Sequence, residues 1–469
     1  MVDTAPLPRS RTGAQAGDPR AHHRVRPTGR LRWVAVAACA AGVLVSLGMM
    51  AHLVPVGSRA GHYRYHYLRL FSPDILWPFL VTALVASVGL WLSHRWYERR
   101  RLVVVAAWLA AAVPMQLLIR GNDDIALQDL VTSQRANGFL EPARAYGIWE
   151  FLSGQADIGA ALDSHARTNM AGKTVFYQVL VALTDSPAAM GVLTVAASSL
   201  SCLLVYLLAA ELLDHRTALY ALALSILVPG RLFFLPILNT VSPVPILLAL
   251  WLFVRFLRRP RRGDAVALGA FLYGTMFFEP LPLALGVVFV ALLGWAKAGG
   301  RLSWPDTGWL IGLAVAGFAA CYAAMRLVVG YDLASNFAYV LDDARGFNGD
   351  GHRPYGVWVV RNLWDFAIAA GLPTVLLVAA GVVDAVRRGP WRAGAVLAAS
   401  AAVTLVVLDL LGVNRGETVR LWIFLAVLWQ IPAAWLCART ARLWPIVAVV
   451  SATALQAATG MAMIAFVRV

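Results

Sequence analysis

Charged residues are scarce in this chain: Asp, Glu, Lys and Arg make up 14% of 469 residues, against about 25% in a typical soluble domain. Lysine is nearly absent, with only Lys173 and Lys297. The four cysteines show no CxxC spacing, which argues against a zinc site and a disulfide framework. Because 60% of the residues are apolar and the mean hydropathy is +0.68, the sequence is that of a membrane protein.

The net charge of +15 comes from 40 Lys and Arg against 25 Asp and Glu. In a soluble chain this balance would suggest nucleic-acid binding, but membrane proteins collect Lys and Arg in their cytoplasmic loops. Placing the basic tail, residues 1–32, in the cytoplasm also places there the arginine clusters 95–101, 255–262, 387–392 and 439–442. The charge therefore indicates a lipid bilayer as partner and no nucleic acid. The tail has no apolar period, and we expect it to be disordered.

About thirteen apolar runs are interpreted as membrane spans, since a bilayer core needs roughly 20 apolar residues per helix. The predicted fold class is all-α, a polytopic transmembrane helical bundle. We divide the chain into the tail 1–32, two extra N-terminal spans within 33–101, and a main transmembrane domain 102–469. The predicted spans are 33–56, 75–92, 102–119, 188–212, 218–228, 244–256, 265–278, 281–295, 307–329, 363–386, 393–413, 421–438 and 443–467.

Three external segments are too long and too polar to be simple turns: residues 120–173, 331–362 and 414–420. In the first, residues 141–153 mix aromatic and charged side chains as a helix on the membrane surface would. Residues 174–183 are apolar but too short to span, which favours an interfacial or re-entrant helix. The segment 331–362 either covers a site or is a solvated lid. The aromatic stretch 61–71 is interpreted as an interfacial belt without a function.

Two sequences in the first external segment carry a resemblance. The segment opens with Arg120-Gly-Asn-Asp-Asp124 and later reads Asp163-Ser-His-Ala-Arg-Thr-Asn-Met-Ala-Gly172, and the third segment contains Arg415-Gly-Glu-Thr-Val-Arg420. This arrangement over residues 102–438 resembles the GT-C superfamily of integral-membrane glycosyltransferases. The resemblance implies transfer of a sugar from a polyprenyl-phosphate donor to an envelope glycan, glycolipid or protein. It also implies a bacterial cytoplasmic membrane with a cytoplasmic N-terminus and an extracytoplasmic active site.

The same segments contain the residue types that such a reaction needs, namely a base for the acceptor hydroxyl and cations for the departing phosphate. Asp123 and Asp124 are the candidate base, since neighbouring carboxylates can raise one pKa. They could instead bind a divalent cation, Mg²⁺ or Mn²⁺, or cap the following helix. His165 and Lys173 could hold the donor phosphate or orient the acceptor; alternatively His165 is only solvated.

Five further residues are candidates for binding the donor phosphate or the substrate. Arg415 and Arg420 flank Glu417, and they either grip a phosphate or form an interfacial ion pair. Glu279 interrupts apolar sequence near the predicted outer surface, and Arg231 lies in a proline-rich turn typical of broken helices.

Two other classes of function fit the sequence. A transporter or flippase of lipid-linked glycans would place polar groups at mid-membrane, often with internal repeats. A glycan polymerase or ligase would use diphosphate-linked donors and a large late external segment, which residues 331–362 could supply.

Overall fold

The structure is a computed structural model that describes residues 29–159, 162, 164–280, 283, 285–350, 352–389 and 392–469. The predicted disordered tail lies outside the described residues up to position 28, and a helix begins at Gly29. The predicted site residues all lie in the described part, whereas Asp163 does not.

Regular structure is almost entirely helical. The helices are α1 (Gly29–Met50), α2 (Trp77–Arg120), α3 (Leu127–Thr132), α4 (Leu140–Ala145), α5 (Ile148–Ser153), α6 (Gln155–Ile158), α7 (Ser164–Arg167), α8 (Gly172–Leu183), α9 (Pro187–Leu212), α10 (His215–Ile226), α11 (Pro229–Phe234), α12 (Pro243–Arg258), α13 (Arg262–Phe278), α14 (Gly286–Ala298), α15 (Trp304–Ala324), α16 (Leu333–Asp350), α17 (Tyr355–Ala370), α18 (Leu372–Arg388), α19 (Ala393–Leu411), α20 (Thr418–Leu421), α21 (Ile423–Ala438) and α22 (Trp444–Met463). Short 3₁₀ segments cover Pro73–Leu76 and Leu238–Thr240, and a π-helical turn covers Met325–Val329. The described residues also form four two-residue strands: β1 (Gly57–Ser58), β2 (Tyr63–Arg64), β3 (His66–Tyr67) and β4 (Ile464–Ala465).

In the described ranges, eight helices are long and apolar enough to cross a membrane, or nine if one bent pair counts as a span. An all-α, multi-pass membrane protein is therefore confirmed. Each predicted apolar run overlaps a helix of the described residues, but several overlap helices that are shorter than a full span, such as α13, α14 and α21. The count of about thirteen spans stays a prediction.

Helix α2 is two antiparallel helices joined at Arg100. A straight helix of its 44 residues would be about 66 Å long, more than twice the thickness of a bilayer core. Arg100 leaves the helical conformation (φ −138°, ψ 48°), and the indole Nε1 of Trp108 donates to Ser93 Oγ at 2.9 Å. Those two residues would be about 22 Å apart along a straight helix. The fold-back therefore agrees with separate helices for the predicted spans 75–92 and 102–119.

The predicted span 363–386 is wrong as one continuous helix, because α17 and α18 meet at an angle of 110°. Gly371 takes a positive φ of +89° at the break, a conformation that residues with a side chain rarely adopt. The backbone groups freed by the break are bound by two buried glutamines. Gln430 donates to the carbonyl of Ala370 at 3.2 Å, and Gln456 accepts from the amide of Leu372 at 2.9 Å. Such compensation is what permits a broken helix inside a membrane protein.

The centre of the bundle is formed by α10 and α21. Residues 217–226 of α10 and 423–437 of α21 are all buried. Helix α15 lies at the periphery, since only 6% of its apolar window is buried. Its exposed apolar side chains are those expected to face lipid.

The polar external segments meet at one end of the bundle, here called the loop end. There β1 pairs with β2, and β3 pairs with β4 across nearly the whole length of the sequence, with His66 opposite Ala465. The arginine-rich turns lie at the other end, where Arg439 pairs with Asp384 at 2.8 Å and Arg255 pairs with Asp264 at 3.2 Å. This separation follows the predicted alternation of loops; which end faces the cytoplasm stays a prediction.

Two predictions about the external segments change. Residues 141–153 do not form one surface helix, because the extended backbone of Tyr146 separates α4 from α5. Residues 331–362 are not a loop, since α16 and the first part of α17 occupy most of them. The prediction of a short apolar helix at 174–183 is confirmed by α8.

Candidate anion-binding site

A cavity of about 470 Å³ opens at the loop end. Five arginines line it, whereas Glu417 is the only carboxylate among its described lining residues. The arginines are Arg59, Arg64, Arg135, Arg420 and Arg468. Apolar side chains form another part of the wall, among them Phe234, Ile237 and Phe466. Because the described lining carries five arginines and one carboxylate, the cavity is suited to an anion.

The hairpin of β1 and β2 carries Arg59 and Arg64. Gly57 starts it at φ +73°, and its amide donates to both carboxylate oxygens of Asp365 at 3.0 and 3.1 Å. At the turn, the indole Nε1 of Trp358 donates to the carbonyl of Gly61 at 3.1 Å. A Cβ on Gly61 would lie 2.7 Å from the Trp358 ring, so the close approach requires glycine. Helix α17 therefore holds the hairpin in place at both its start and its turn.

The C-terminal strand brings Arg468 to the same cavity. The amide of Leu68 donates to the carbonyl of Met463 at 2.9 Å, which continues the pairing of β3 with β4. Phe466 stacks on Phe233 at a centroid distance of 4.0 Å and fixes the strand against the core. The wall is therefore closed by residues far apart in sequence.

Glu417 and Arg420 form the floor of the cavity, and Arg353, which is not among the described lining residues, also pairs with Glu417. One oxygen of Glu417 lies 3.0 Å from Arg353, and the other lies 2.5 Å from Arg420. Burial raises the pKa of Glu417, but the charges of Arg420 and Arg353 outweigh burial and hold this pKa below its ordinary value. Glu417 also takes a left-handed backbone conformation, φ +59°. Strain of this kind persists only where surrounding contacts impose it.

His165 lies at the inner wall with a buried Nε2 that has no hydrogen-bond partner among the described residues. Burial, and then the charge of Arg420, lower the pKa of His165 to about 4. The imidazole is therefore neutral at pH 7. Gly138, at φ +67°, packs against it so closely that an added Cβ would lie 2.7 Å from the His165 Cβ. Gly138 is therefore in close contact with His165 and restricts where the histidine side chain can lie.

Lys173 and Glu279 form a separate buried ion pair at 2.7 Å. Lys173 also donates to Asn169 Oδ1 at 2.7 Å, and Ser242 donates to Glu279 at 3.1 Å. Neither charged residue lines the cavity. Each charge is compensated by the other and by these hydrogen bonds, so neither residue is available to bind an anion in the cavity.

Asp123 and Asp124 are absent from the described lining of the cavity. Asp123 is buried against Arg120 at 2.9 Å and accepts from the amide of Ile125 at 3.0 Å, as a turn-capping carboxylate does. Asp124 has a side chain that is 77% exposed and pairs with Arg69 at 3.1 Å. Their role as a base stays a prediction, and these contacts fit the alternative reading of a structural cap.

Arg231 and Arg415 also lie away from the cavity. Arg231 is fully buried and donates to Ser201 Oγ at 2.7 Å and to the carbonyl of Ile226 at 3.1 Å. Arg415 donates to the carbonyl of Arg353 at 3.0 Å, while Arg353 donates to the carbonyl of Arg415 at 2.8 Å. The second pair of contacts joins the α16–α17 connection to the floor of the cavity.

Sequence reasoning therefore identified three lining residues, His165, Glu417 and Arg420, and missed the other four arginines. The missed group is Arg59, Arg64, Arg135 and Arg468. The nearest signal was the stretch 61–71, which alternates aromatic residues with Arg and His. Residues 62–66 of this stretch line the cavity, and its interpretation as an interfacial belt without a function stays a prediction.

Within the described residues, no group of three or more His, Cys, Asp or Glu is placed to hold a metal ion. Comparison with family models gives no match, and neither does comparison with curated proteins.

Proposed function

We propose that this protein is a membrane glycosyltransferase that takes a sugar from a lipid donor of the polyprenyl-phosphate type. The observation that carries the proposal is the arginine-lined cavity beside apolar side chains at the loop end. Guanidinium groups bind phosphate oxygens in pairs, and the apolar wall suits the start of a lipid chain. The sugar and its acceptor, an envelope glycan, glycolipid or protein, rest on the resemblance to the GT-C superfamily.

The proposed setting follows the positive-inside rule. The arginine-rich turns would face the cytoplasm, and the loop end would face outward from a bacterial cytoplasmic membrane. The bundle would then be of GT-C type with about thirteen spans, including the shorter helices and the bent pair. The donor would reach the cavity from the outer leaflet.

In the proposed reaction, the acceptor hydroxyl attacks the anomeric carbon and forms the new glycosidic bond. The bond between that carbon and the phosphate oxygen breaks, and its electron pair stays on the lipid phosphate. The arginines stabilise the negative charge that develops on this phosphate. Such electrostatic stabilisation of the transition state is usually the largest single contribution to catalysis. The hydroxyl proton must pass to a base.

We assign that proton to Nε2 of His165. The pKa of His165 is about 4, first because of burial and then because of Arg420. A bound phosphate would offset the arginine charge and so raise this pKa, which makes the imidazole a better base when the donor is present. Glu417 is less suited, since two arginines hold its pKa low. A single displacement of this kind inverts the anomeric centre.

A second candidate function is movement of lipid-linked glycans across the membrane. The observation in its favour is that the one lining carboxylate among the described residues is already paired with Arg353 and Arg420. A cavity that binds phosphate without performing chemistry would have no need of a free base. The two functions predict different results in permeabilised membranes. There a lipid-linked sugar reaches its acceptor without a carrier, but it is still not transferred without the enzyme.

The test uses a strain that lacks the gene and is complemented with the wild type, His165→Gln or a control, Arg144→Gln. Arg144 is exposed on α4 at the loop end and is absent from the described cavity lining. Envelope sugars are labelled, and the label in the lipid-linked and acceptor fractions is measured in sealed and in detergent-permeabilised vesicles.

We expect the uncomplemented strain and His165→Gln to accumulate label on lipid, with or without detergent, while Arg144→Gln behaves as the wild type. Restoration of transfer by detergent in the uncomplemented strain would indicate a carrier instead. Equal labelling of the lipid fraction in all strains would overturn both functions.

A further inference from the structure

We propose that the cavity takes a lipid diphosphate rather than a lipid monophosphate, so that the sugar donor is diphosphate-linked. This inference rests on the proposed function and deepens it. The leaving group of the reaction would then be the lipid diphosphate, which keeps the electron pair of the broken bond, while the proton goes to His165 as before.

The first argument is the charge of the cavity wall. Four of the five lining arginines, Arg59, Arg64, Arg135 and Arg468, make no ion pair with any described residue. A sugar linked through one phosphate is a phosphodiester with a single negative charge. A diphosphate link carries two negative charges and more acceptor oxygens. The uncompensated charge of the wall is therefore matched better by the diphosphate.

The second argument is the set of buried nitrogen atoms that lack an acceptor. Nε of Arg64 and Nε of Arg420 are buried and have no hydrogen-bond partner among the described residues. Buried donors are nearly always satisfied in native proteins, so two unsatisfied arginine donors on opposite parts of one cavity indicate a ligand that offers acceptor oxygens to both. Arginine donors occur on both the hairpin and the floor, and a diphosphate offers oxygens to both.

The third argument separates a lipid diphosphate from a free one. Phe234, Ile237 and Phe466 line the cavity, and each is packed against the hydrophobic core. Leu68 and Leu70, just after β3, expose apolar side chains at the loop end, 45% and 81% respectively. Because these groups lie at the edge of an apolar bundle, a prenyl chain bound to the diphosphate can remain in a hydrophobic environment.

The test titrates three probes into the purified full chain in nanodiscs: farnesyl phosphate, farnesyl diphosphate and inorganic pyrophosphate. Affinity is measured by the ligand-dependent rise in unfolding temperature and by thermophoresis. We expect farnesyl diphosphate to bind at least about tenfold more tightly than either other probe, since charge-assisted hydrogen bonds and prenyl burial both add to it. Arg64→Gln should weaken farnesyl diphosphate about tenfold or more, and Arg144→Gln should leave it unchanged.

Each outcome decides a different point. Equal binding of farnesyl phosphate and farnesyl diphosphate overturns the diphosphate inference but leaves the proposed function intact. Equal binding of pyrophosphate and farnesyl diphosphate overturns the lipid part of the inference. Failure of all three probes overturns the phosphate site, and with it the proposed function. The wild-type comparison decides the matter even if Arg64→Gln does not fold.

Discussion

Replacing Glu417 by glutamine removes the counter-charge of two arginines while keeping the shape of the side chain. The carboxylate lies 3.0 Å from Arg353 and 2.5 Å from Arg420, and its side chain is only 11% exposed. Breaking a buried ion pair by removing one partner costs about 3–5 kcal/mol, because the remaining charge has no compensation. At about 2 °C per kcal/mol for a large domain, Glu417→Gln should lower the apparent Tm by about 6–10 °C.

The assay is thermal unfolding of the purified protein at one scan rate, with and without pyrophosphate. Added anion should restore part of the lost stability, since it supplies the missing negative charge to Arg420. The matched control is Asp124→Asn, which also converts a paired carboxylate into an amide. Its pair with Arg69 is 77% exposed on the aspartate side, so the expected change is only about 0–1 kcal/mol.

Two results would refute this reasoning. One is a Glu417→Gln protein as stable as the wild type, which would mean that the arginines are compensated elsewhere. The other is a loss of stability that pyrophosphate does not reduce, which would mean that the anion does not reach the floor of the cavity.

Two further predictions concern the walls of the cavity. The folded pKa of His165 is about 4, below its unfolded value of 6.5, so the unfolded chain binds the proton first as pH falls. The stability that His165 contributes is complete above pH 6.5 and is lost between pH 6.5 and 4; His165→Gln should flatten this part of a Tm-against-pH curve, and an unchanged curve would contradict the burial argument. Asp365→Ala should weaken pyrophosphate binding several-fold, because the hairpin loses the carboxylate that accepts from Gly57. Titration of Asp264→Ala, which breaks the Arg255 pair at the opposite end, is the comparison, and equal weakening there would show a general loss of stability.

Most of the helical architecture could be predicted, because membrane spans depend on local hydropathy and the predicted runs overlap helices of the described residues. The break at Gly371 was missed for the same reason. Hydropathy does not register a positive φ, and the glutamines that stabilise the break, Gln430 and Gln456, belong to other helices. Non-local compensation cannot be seen in a window of adjacent residues.

The cavity was predicted only where polar residue types stood out against their surroundings. His165, Glu417 and Arg420 lie in polar external segments and were found. Arg64 lies in the short connection between the first two predicted spans and Arg468 directly follows the last one, and at such positions arginine is usually a topology signal or an interfacial anchor. Only the pairing of β3 with β4 brings them together.

Asp123 is the opposite case, a residue that stood out in the sequence and has a structural partner in the fold. Two adjacent carboxylates after a helix suggested a base, but Arg120 stands one helical turn earlier and takes up the charge of Asp123 at 2.9 Å. Residues three apart near a helix end are neighbours, so this pairing was accessible from the sequence.

The pairing of β3 with β4 also bears on how the protein is assembled. One strand of that pair follows α1, and the other ends α22, so the cavity has no complete wall until the first and last described helices have docked against each other. Folding intermediates that already contain most of the helices would therefore lack the binding site. Anion affinity would therefore report that assembly is complete. A bound anion would stabilise only those chains in which the first and last described helices have already docked.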